Sequence, residues 1–401
     1  MTIECEVPLG SYVPTYLDPI KPRGSLASRP LRTAFLLTSM PVGGAETLLV
    51  NLVRGFDKEK ILPHVVCMKE PGPLGEEISQ EFPFASNFIA SKWDVRVVNR
   101  LRKYFLRERI DAVVTVGAGD KMFWGRLAAK MVRVPVVCSA LHSTGWPDGV
   151  GRANRMLTGV TDAFIAVAES HGKFLVDFEH FPSRKVAVIP NGIDTNRFKP
   201  DQRSRAEIRQ ALGIDPNAPT IGIVAALRPE KNHEMFVDVA NRVRQVIKDA
   251  QFLIIGEGPE RARIEAAITK HSLGDSVRLL GNRSDTHRIL AAIDVFALTS
   301  HNEANPVSIL EALSTEVPVV SSRVGSISET VIDGETGFCV NSGDARAMAL
   351  HIQELILDTT LNRTLGRQGR ARVQERGSLF AMVTGYEELI HRIYSSKTNR
   401  S

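Results

Sequence analysis

Two carboxylates stand eight residues apart in the run Ser300-His-Asn-Glu303-Ala-Asn-Pro-Val-Ser-Ile-Leu-Glu311. An apolar segment, Asp294-Val-Phe-Ala-Leu-Thr299, leads in with the composition of a strand, and Pro306 sits where a first helical turn tolerates it. A helix beginning near Pro306 points its free N–H groups and positive dipole end into the space above that strand, where a phosphate would settle. Glu303 is then expected at the mouth of the pocket and Glu311 about a turn and a half inside. Carboxylates repel a phosphate, so the pair fits a ligand whose phosphate carries neutral hydroxyls for them to hold. A nucleotide joined to a sugar has that chemistry.

Other residues supply the positive charge such a ligand needs. In Ala225-Ala-Leu-Arg228-Pro-Glu-Lys231, at the end of a predicted strand, Arg228 can fork onto phosphate oxygens and Lys231 can place a point charge near a leaving group. Both types are equally at home in a solvated loop; their place beyond a strand's carboxyl end favours function. The paired glycines of Val42-Gly43-Gly44-Ala-Glu46 precede a helical run and would let backbone approach a phosphate, although a Gly-Gly turn is also an ordinary tight connection. His142 lies just past a strand, where a lone histidine is usually a loop hydrogen-bonder and spacing alone does not make it catalytic. Ile189-Pro-Asn191-Gly192-Ile-Asp194 marks a turn with a candidate left-handed glycine, and Val324-Gly325-Ser-Ile-Ser-Glu329 a loop closing onto a helix start.

These residues need a scaffold, and the hydrophobic pattern describes one. Short Val, Ile, Phe and Ala runs alternate with helical patterns at 33–37, 64–67, 112–115, 134–138, 163–166 and 186–189. After the proline-rich stretch 191–219 the alternation restarts at 221–225, 252–255, 277–280, 295–298 and 317–320. Such runs are parallel strands covered on both faces, and two series imply two doubly wound α/β domains with a ligand cleft between them. The expected division is an extension at 1–30, a first domain at 31–197 and a second at 198–377. An amphipathic C-terminal helix, 378–401, returns to the first domain.

The 401 residues, 43 % of them apolar, suit a two-domain globular chain. No apolar run approaches the roughly 18 residues of a membrane span. The acidic first residues do not resemble a secretory signal, and four scattered cysteines offer neither a disulfide framework nor a zinc site. A cytoplasmic location is the expectation. The net charge of +5 is concentrated in 92–133, which holds 11 basic and 4 acidic residues. Val97, Leu101, Tyr104 and Phe105 recur there at helical spacing between arginines, a pattern shared by an ordinary surface helix and by one that lies on anionic lipid. No nucleic-acid motif accompanies the charge. Neither Gly-x-Gly-x-x-Gly nor a P-loop is present, which disfavours dinucleotide oxidoreductases and P-loop NTPases. No Asp-x-Asp stands at a strand end to grip a metal under a diphosphate.

With Gly43-Gly44-Ala-Glu, Pro190-Asn-Gly-Ile-Asp194, Arg228 with Lys231, and Glu303 with Glu311 all in order, the chain resembles the family 4 retaining glycosyltransferases of GT-B fold from about residue 31 to 395. That resemblance implies two Rossmann-like domains facing across a cleft. It implies a nucleotide-sugar donor, a UDP-sugar in preference to a GDP-sugar, and a glycan, lipid-linked or small-molecule acceptor for hexosyl transfer. No cofactor or essential metal is expected. Arg228 and Lys231 would hold the diphosphate, Glu311 the ribose hydroxyls, and Glu303 the transferred sugar. Backbone donors near Asn305, Val307 and Ser308 would serve sugar and phosphate, the segment Gly281-Asn-Arg283 would border the base, Gly43 and Gly44 would close over the diphosphate, and His142 would approach from the acceptor side. Family members commonly follow the first glutamate with glycine and a bulky apolar residue; here Ala304 and Asn305 take those places, which bears on the identity of the sugar. A sugar-nucleotide epimerase and a non-catalytic sugar-nucleotide-binding protein remain the alternatives on the same fold.

Overall fold

The computed structural model of the chain describes residues 29–41, 43–90, 94–117, 120–141 and 155–398. The apolar runs become strands of two sheets in which every pairing is parallel. The first contains β1 (Leu31–Leu37), β2 (Ile61–Cys67), β3 (Phe84–Ala85), β4 (Ala112–Val116), β5 (Val136–Ala140), β6 (Ala163–Ala166) and β7 (Val186–Val188), in the order β3-β2-β1-β4-β5-β6-β7. The second contains β8 (Thr220–Val224), β9 (Gln251–Ile255), β10 (Val277–Gly281), β11 (Val295–Leu298), β12 (Val319–Ser322) and β13 (Gly337–Val340), in the order β10-β9-β8-β11-β12-β13. Each sheet is doubly wound, and its strand order reverses once, between β1 and β4 and between β8 and β11. At such a switch point the loops beyond the strand ends diverge and leave a crevice.

Two strands begin later than their composition predicts, β5 at Val136 and β12 at Val319. Pro135 and Pro318 stand immediately before them, and a proline has no N–H to donate to the neighbouring strand, although its carbonyl still accepts, as Pro318 does from the Phe296 N–H at 3.0 Å. β3 and β13 are additional to the expected set.

Helices cover both faces. Helix Val97–Arg107 buries the four residues picked out by their spacing, Val97, Leu101, Tyr104 and Phe105. Several helices start on capping aspartates, among them Asp201, which accepts from the Arg203 and Ser204 N–H groups, and Asp358, which accepts from Thr360 and Leu361. The last helix, Leu379–Thr398, packs Met382, Val383, Tyr386, Leu389 and Ile390 into the core of the first sheet. There Glu387, 5 % exposed, accepts the Asp57 N–H at 2.9 Å and the Lys60 ammonium at 2.9 Å. The chain therefore passes between the domains twice, and the two passages are bonded together: Ile193 N–H donates to Gly377 O at 2.9 Å and Leu379 N–H to Ile193 O at 2.8 Å. Ile193 and Phe198 already lie in the core of the second sheet.

Gly192 at this crossing does not adopt the left-handed conformation its turn predicts, since its φ is not among the positive ones. Its requirement is space: a Cβ there would sit 2.2 Å from the carbonyl oxygen of Ser378. Among the described residues no helix is long and apolar enough to cross a membrane.

Candidate functional site

The loops beyond β8 and β11, at the switch point of the second sheet, carry Arg228, Lys231 and Glu303. They are sewn together: the Thr299 hydroxyl donates to the Lys231 carbonyl at 3.0 Å, and His301 N–H to the Glu230 carbonyl at 2.8 Å. Lys231 Nζ lies 2.6 Å from Glu303 Oε1, which also accepts the Ser300 hydroxyl at 2.7 Å. Glu303 is not at a mouth as its place before the helix led us to expect; it is 9 % exposed, because the Lys231 ammonium and Ser300 replace water around it. Arg228 is the opposite case. Its side chain is 65 % exposed, with a carboxylate oxygen of Glu230 4.0 Å away, and it projects from the loop.

The helix after β11 runs Val307–Ser314 with Pro306 as its cap residue, so the N–H groups of Val307 and Ser308 have no acceptor within the helix. Pro306 lacks a side-chain oxygen to cap them, which leaves the positive helix end open to an anion. Glu311 follows one turn on, half-buried. Burial pushes its carboxyl up to about 8, against the opposing pull of the Arg197 charge. Arg197 Nη2 also donates to the Ser284 carbonyl at 3.2 Å, which places it next to Arg283. Arg283 itself is forked onto Asp285 at 2.8 and 2.7 Å. Beneath Lys231, the imidazole of His233 is 3 % exposed and held down at about 4, first by burial and then by the Lys231 charge, so it is neutral at pH 7.

From the first domain, helix Gly44–Gly55 starts behind Gly43, whose extended φ of −160° any residue could adopt. A Cβ there would lie 2.5 Å from a carboxylate oxygen of Glu46, the far end of a flexible side chain that can swing aside, so neither conformation nor packing demands glycine at this position; Gly44 faces open space. Burial raises the Glu46 carboxyl, while a backbone hydrogen bond and then the positive charge of Arg228 pull it partly back, so Arg228 lies within electrostatic reach of Glu46. His142 lies outside the described residues.

Asn305 crosses the cleft as well. Its Nδ2 donates to Val167 O at 2.9 Å, and its own carbonyl accepts Asn191 Nδ2 at 2.9 Å. Behind it, Gly325 has φ +55° and presses on the Glu303 carbonyl, which a Cβ would approach to 1.6 Å. The structure thus brings Lys231 against Glu303, sets Asn305, Val307, Ser308 and Glu311 along the loop and helix that follow, leaves Arg228 exposed on the Lys231 loop, and puts Arg283 beside the Ser284 carbonyl that Arg197 holds; Gly43 and Gly44 open the first helix of the other domain. Ser300, Glu46, Asn191, Arg197 and Glu329 also take part and were not assigned roles from sequence. Glu46 and Glu329 stand beside glycine-containing turns, Asn191 lies within the turn 189–194 and Ser300 opens the run that ends at Glu311, whereas Arg197 carried no signal.

Two family models lie end to end on the chain, Glycosyltransferase Family 4 on residues 42–197 and Glycosyl transferases group 1 on residues 204–372. The doubly wound pair of sheets with its crevice is a GT-B glycosyltransferase architecture. The chain belongs to the family 4 glycosyltransferases. It is 24 % identical over 322 residues to the N-acetyl-alpha-D-glucosaminyl L-malate synthase of Bacillus anthracis, covering 78 % of this chain and 83 % of that one. It is 26 % identical over 315 residues to the UDP-Gal:alpha-D-GlcNAc-diphosphoundecaprenol alpha-1,3-galactosyltransferase of Escherichia coli, covering 75 % and 81 %. The crystal structure of Anabaena Alr3699/HepE in complex with UDP and glucose superimposes with a TM-score of 0.80 at 22 % identity, covering 90 % of this chain and 99 % of that one.

Proposed function

We propose that the protein transfers a hexose from a UDP-sugar to a hydroxyl of a lipid-linked or polysaccharide precursor, with retention at the anomeric carbon and without metal. The observation that carries this reading is the Lys231–Glu303 pair just before the open start of helix Val307–Ser314, with Arg228 exposed on the Lys231 loop. The N–H groups of Val307 and Ser308, Arg228 and Lys231 supply the positive field for a diphosphate, so the leaving group is stabilised by preorganised charges. Glu303 faces the sugar, and Glu311 faces the ribose hydroxyls.

In the transfer step the bond from the anomeric carbon to the diphosphate oxygen breaks while the acceptor oxygen bonds to the same face. The acceptor proton passes to the departing phosphate oxygen. The protein's part is to hold both partners and to stabilise the charge that develops on the diphosphate.

A UDP donor is supported by the UDP-Gal in the name of the E. coli relative and by the UDP in the HepE structure. The diphosphoundecaprenol in that relative's name favours a lipid-linked acceptor. So does the outer face of helix Val97–Arg107, where Leu106 is 60 % exposed beside Lys103 and Arg107, with Val95 65 % exposed just ahead of it. The basic surplus of 92–133 is only partly a surface. Arg126 is 1 % exposed and donates to Thr161, while Arg96 and Arg100 are occupied by Asp94.

Thermal stabilisation by UDP, GDP and ADP, with chelator present, tests the donor reading. A ligand at 100 times its dissociation constant adds ~2.7 kcal/mol to the folded state. Selective stabilisation by UDP, indifferent to chelator and lost in Arg228→Ala, is expected. No stabilisation by any nucleotide would overturn the reading.

A further inference from the structure

Helix Glu169–Asp177 of the first domain begins behind Ala168, a residue with no side-chain oxygen to cap it. The cap comes from the other domain. Glu329 Oε2 accepts the Glu169 N–H at 2.9 Å and Oε1 accepts the Ser170 N–H at 2.7 Å, so one carboxylate occupies the positive end of a helix 160 residues away in sequence. The arrangement is kept despite a like charge: burial, and then the negative charge of Glu329, both raise the Glu169 carboxyl.

Glu329 is itself held firmly on its own side. Its carbonyl accepts Arg372 Nη2 at 2.6 Å. Three residues earlier Ser326, 2 % exposed, donates its hydroxyl to the Ala304 carbonyl, and Gly325 lies against the Glu303 carbonyl. The turn bearing Glu329 and the loop bearing Glu303 are therefore one piece of packed backbone. That loop makes its own connection to the first domain through Asn305, whose Nδ2 donates to Val167 O. Asn305 Oδ1 is buried with no hydrogen-bond partner, a penalty that an apolar side chain would avoid, so what the amide gains at this position is the bond to Val167. Val167, Glu169 and Ser170 belong to a single turn, and it grips both loops.

We infer that Glu329 and Asn305 are positioning residues that set loop 303–306 from turn 167–170 of the opposite domain. The loop that faces the transferred sugar in the function proposed above then holds its shape only while the domains are docked. Neither side chain touches the reacting atoms; each acts through the backbone of Glu303 and Ala304.

Hydrogen exchange on the full chain, followed by mass spectrometry, tests this without requiring any ligand. In Glu329→Ala, exchange across 309–313, where the Ile309 N–H donates to the Pro306 carbonyl at 3.2 Å and the amides after it lie in helix Val307–Ser314, is expected to accelerate about tenfold while the β9 core, 251–255, keeps its wild-type rate, the signature of local opening. Asn305→Ala should do the same to a smaller extent. Glu329→Gln, whose amide oxygen can still accept one of the two N–H groups, should restore part of the protection. Acceleration confined to 169–172, or equal acceleration in β9, would overturn the inference, and unchanged exchange at 309–313 in both alanine variants would do so as well. UDP titration runs alongside. Failure of the wild type to bind UDP would remove the donor reading, while the exchange result would still decide the coupling between the domains.

Discussion

Lys231 and Glu303 form an ion pair of 2.6 Å at the junction of the β8 and β11 loops, and the carboxylate is the more buried of the two partners. The pair gives each residue a double dependence. Lys231 neutralises Glu303 in the fold and, in the function proposed above, also supplies positive charge to the leaving diphosphate. Arg228, exposed and only loosely paired, is not tied into the fold in this way.

Alanine at these two positions should therefore separate stability from binding. Lys231→Ala strands a buried carboxylate, which costs on the order of 3 kcal/mol when a buried pair is broken, and it should lower the melting temperature. Arg228→Ala should leave the melting temperature within about 1 °C, since surface changes are nearly neutral. Both should reduce turnover by ~10²-fold or more, as expected for loss of one preorganised charge contact. Unchanged turnover in either variant would remove that residue from the chemistry; calorimetry and a nucleotide-release assay give the two readouts.

Glu311 predicts a pH dependence of stability. Its folded carboxyl is raised to about 8 by burial, above its value in the unfolded chain, so between roughly pH 4.5 and 8 the folded state holds a proton that the unfolded state has released. Its contribution to stability thus falls as pH rises through that window and is level above it. Glu311→Gln should flatten this slope in urea titrations taken at pH 5, 6, 7 and 8. An identical slope in the variant would show that Glu311 does not titrate there.

The same carboxyl affects nucleotide binding. If its ionised form accepts the ribose hydroxyls, wild-type affinity for UDP should gain up to about tenfold per pH unit approaching 8, relative to Glu311→Gln measured under the same conditions. Parallel curves for the two proteins would mean that the neutral acid is the binding form.

Gly325 should tolerate no side chain. Its φ of +55° and the 1.6 Å approach of a Cβ to the Glu303 carbonyl act together, whereas Gly334, with φ +74°, has open space around it. Gly334→Ala should cost about 1 kcal/mol from backbone conformation alone. Gly325→Ala should cost several times more and displace Glu303. Equal melting temperatures for the two variants would contradict the packing at Gly325.

Membrane association can be checked by sedimentation with vesicles. Binding to anionic vesicles that weakens with salt and is lost on Lys103→Glu with Arg107→Glu is expected, because each basic residue near such a surface contributes about 1 kcal/mol. Equal partition to neutral and anionic vesicles would place the acceptor elsewhere.

Much of this was legible in the residues themselves. Runs such as Val295–Leu298 announce buried parallel strands, and the Pro306 start of the next helix followed from the limited places proline is tolerated. The carboxylate spacing then placed Glu303 and Glu311 on either side of that start. β13 was missed because Gly337-Phe-Cys-Val follows a turn-rich segment and pairs along one edge only, and β3 because two residues carry no period. The partners of Asn191, Arg197 and Glu329 were not legible for a different reason: each acts on a group remote in the chain, and no local pattern encodes a contact such as that of Glu329 with Glu169. Glu303 was placed too far out because its burial depends on Lys231, 72 residues earlier.

The bonded double crossing at Ile193 and Gly377–Leu379 limits how the two halves can move. Two chain segments tied at one point permit rotation about that point and resist sliding or twisting. Every opening of the crevice is then a swing about a fixed pivot, with the loops at 303–306 and 43–46 moving along arcs set by their distance from Ile193. A chain cut before Ser378 would keep both sheets yet lose one of the two tethers, and the hinge would become a swivel.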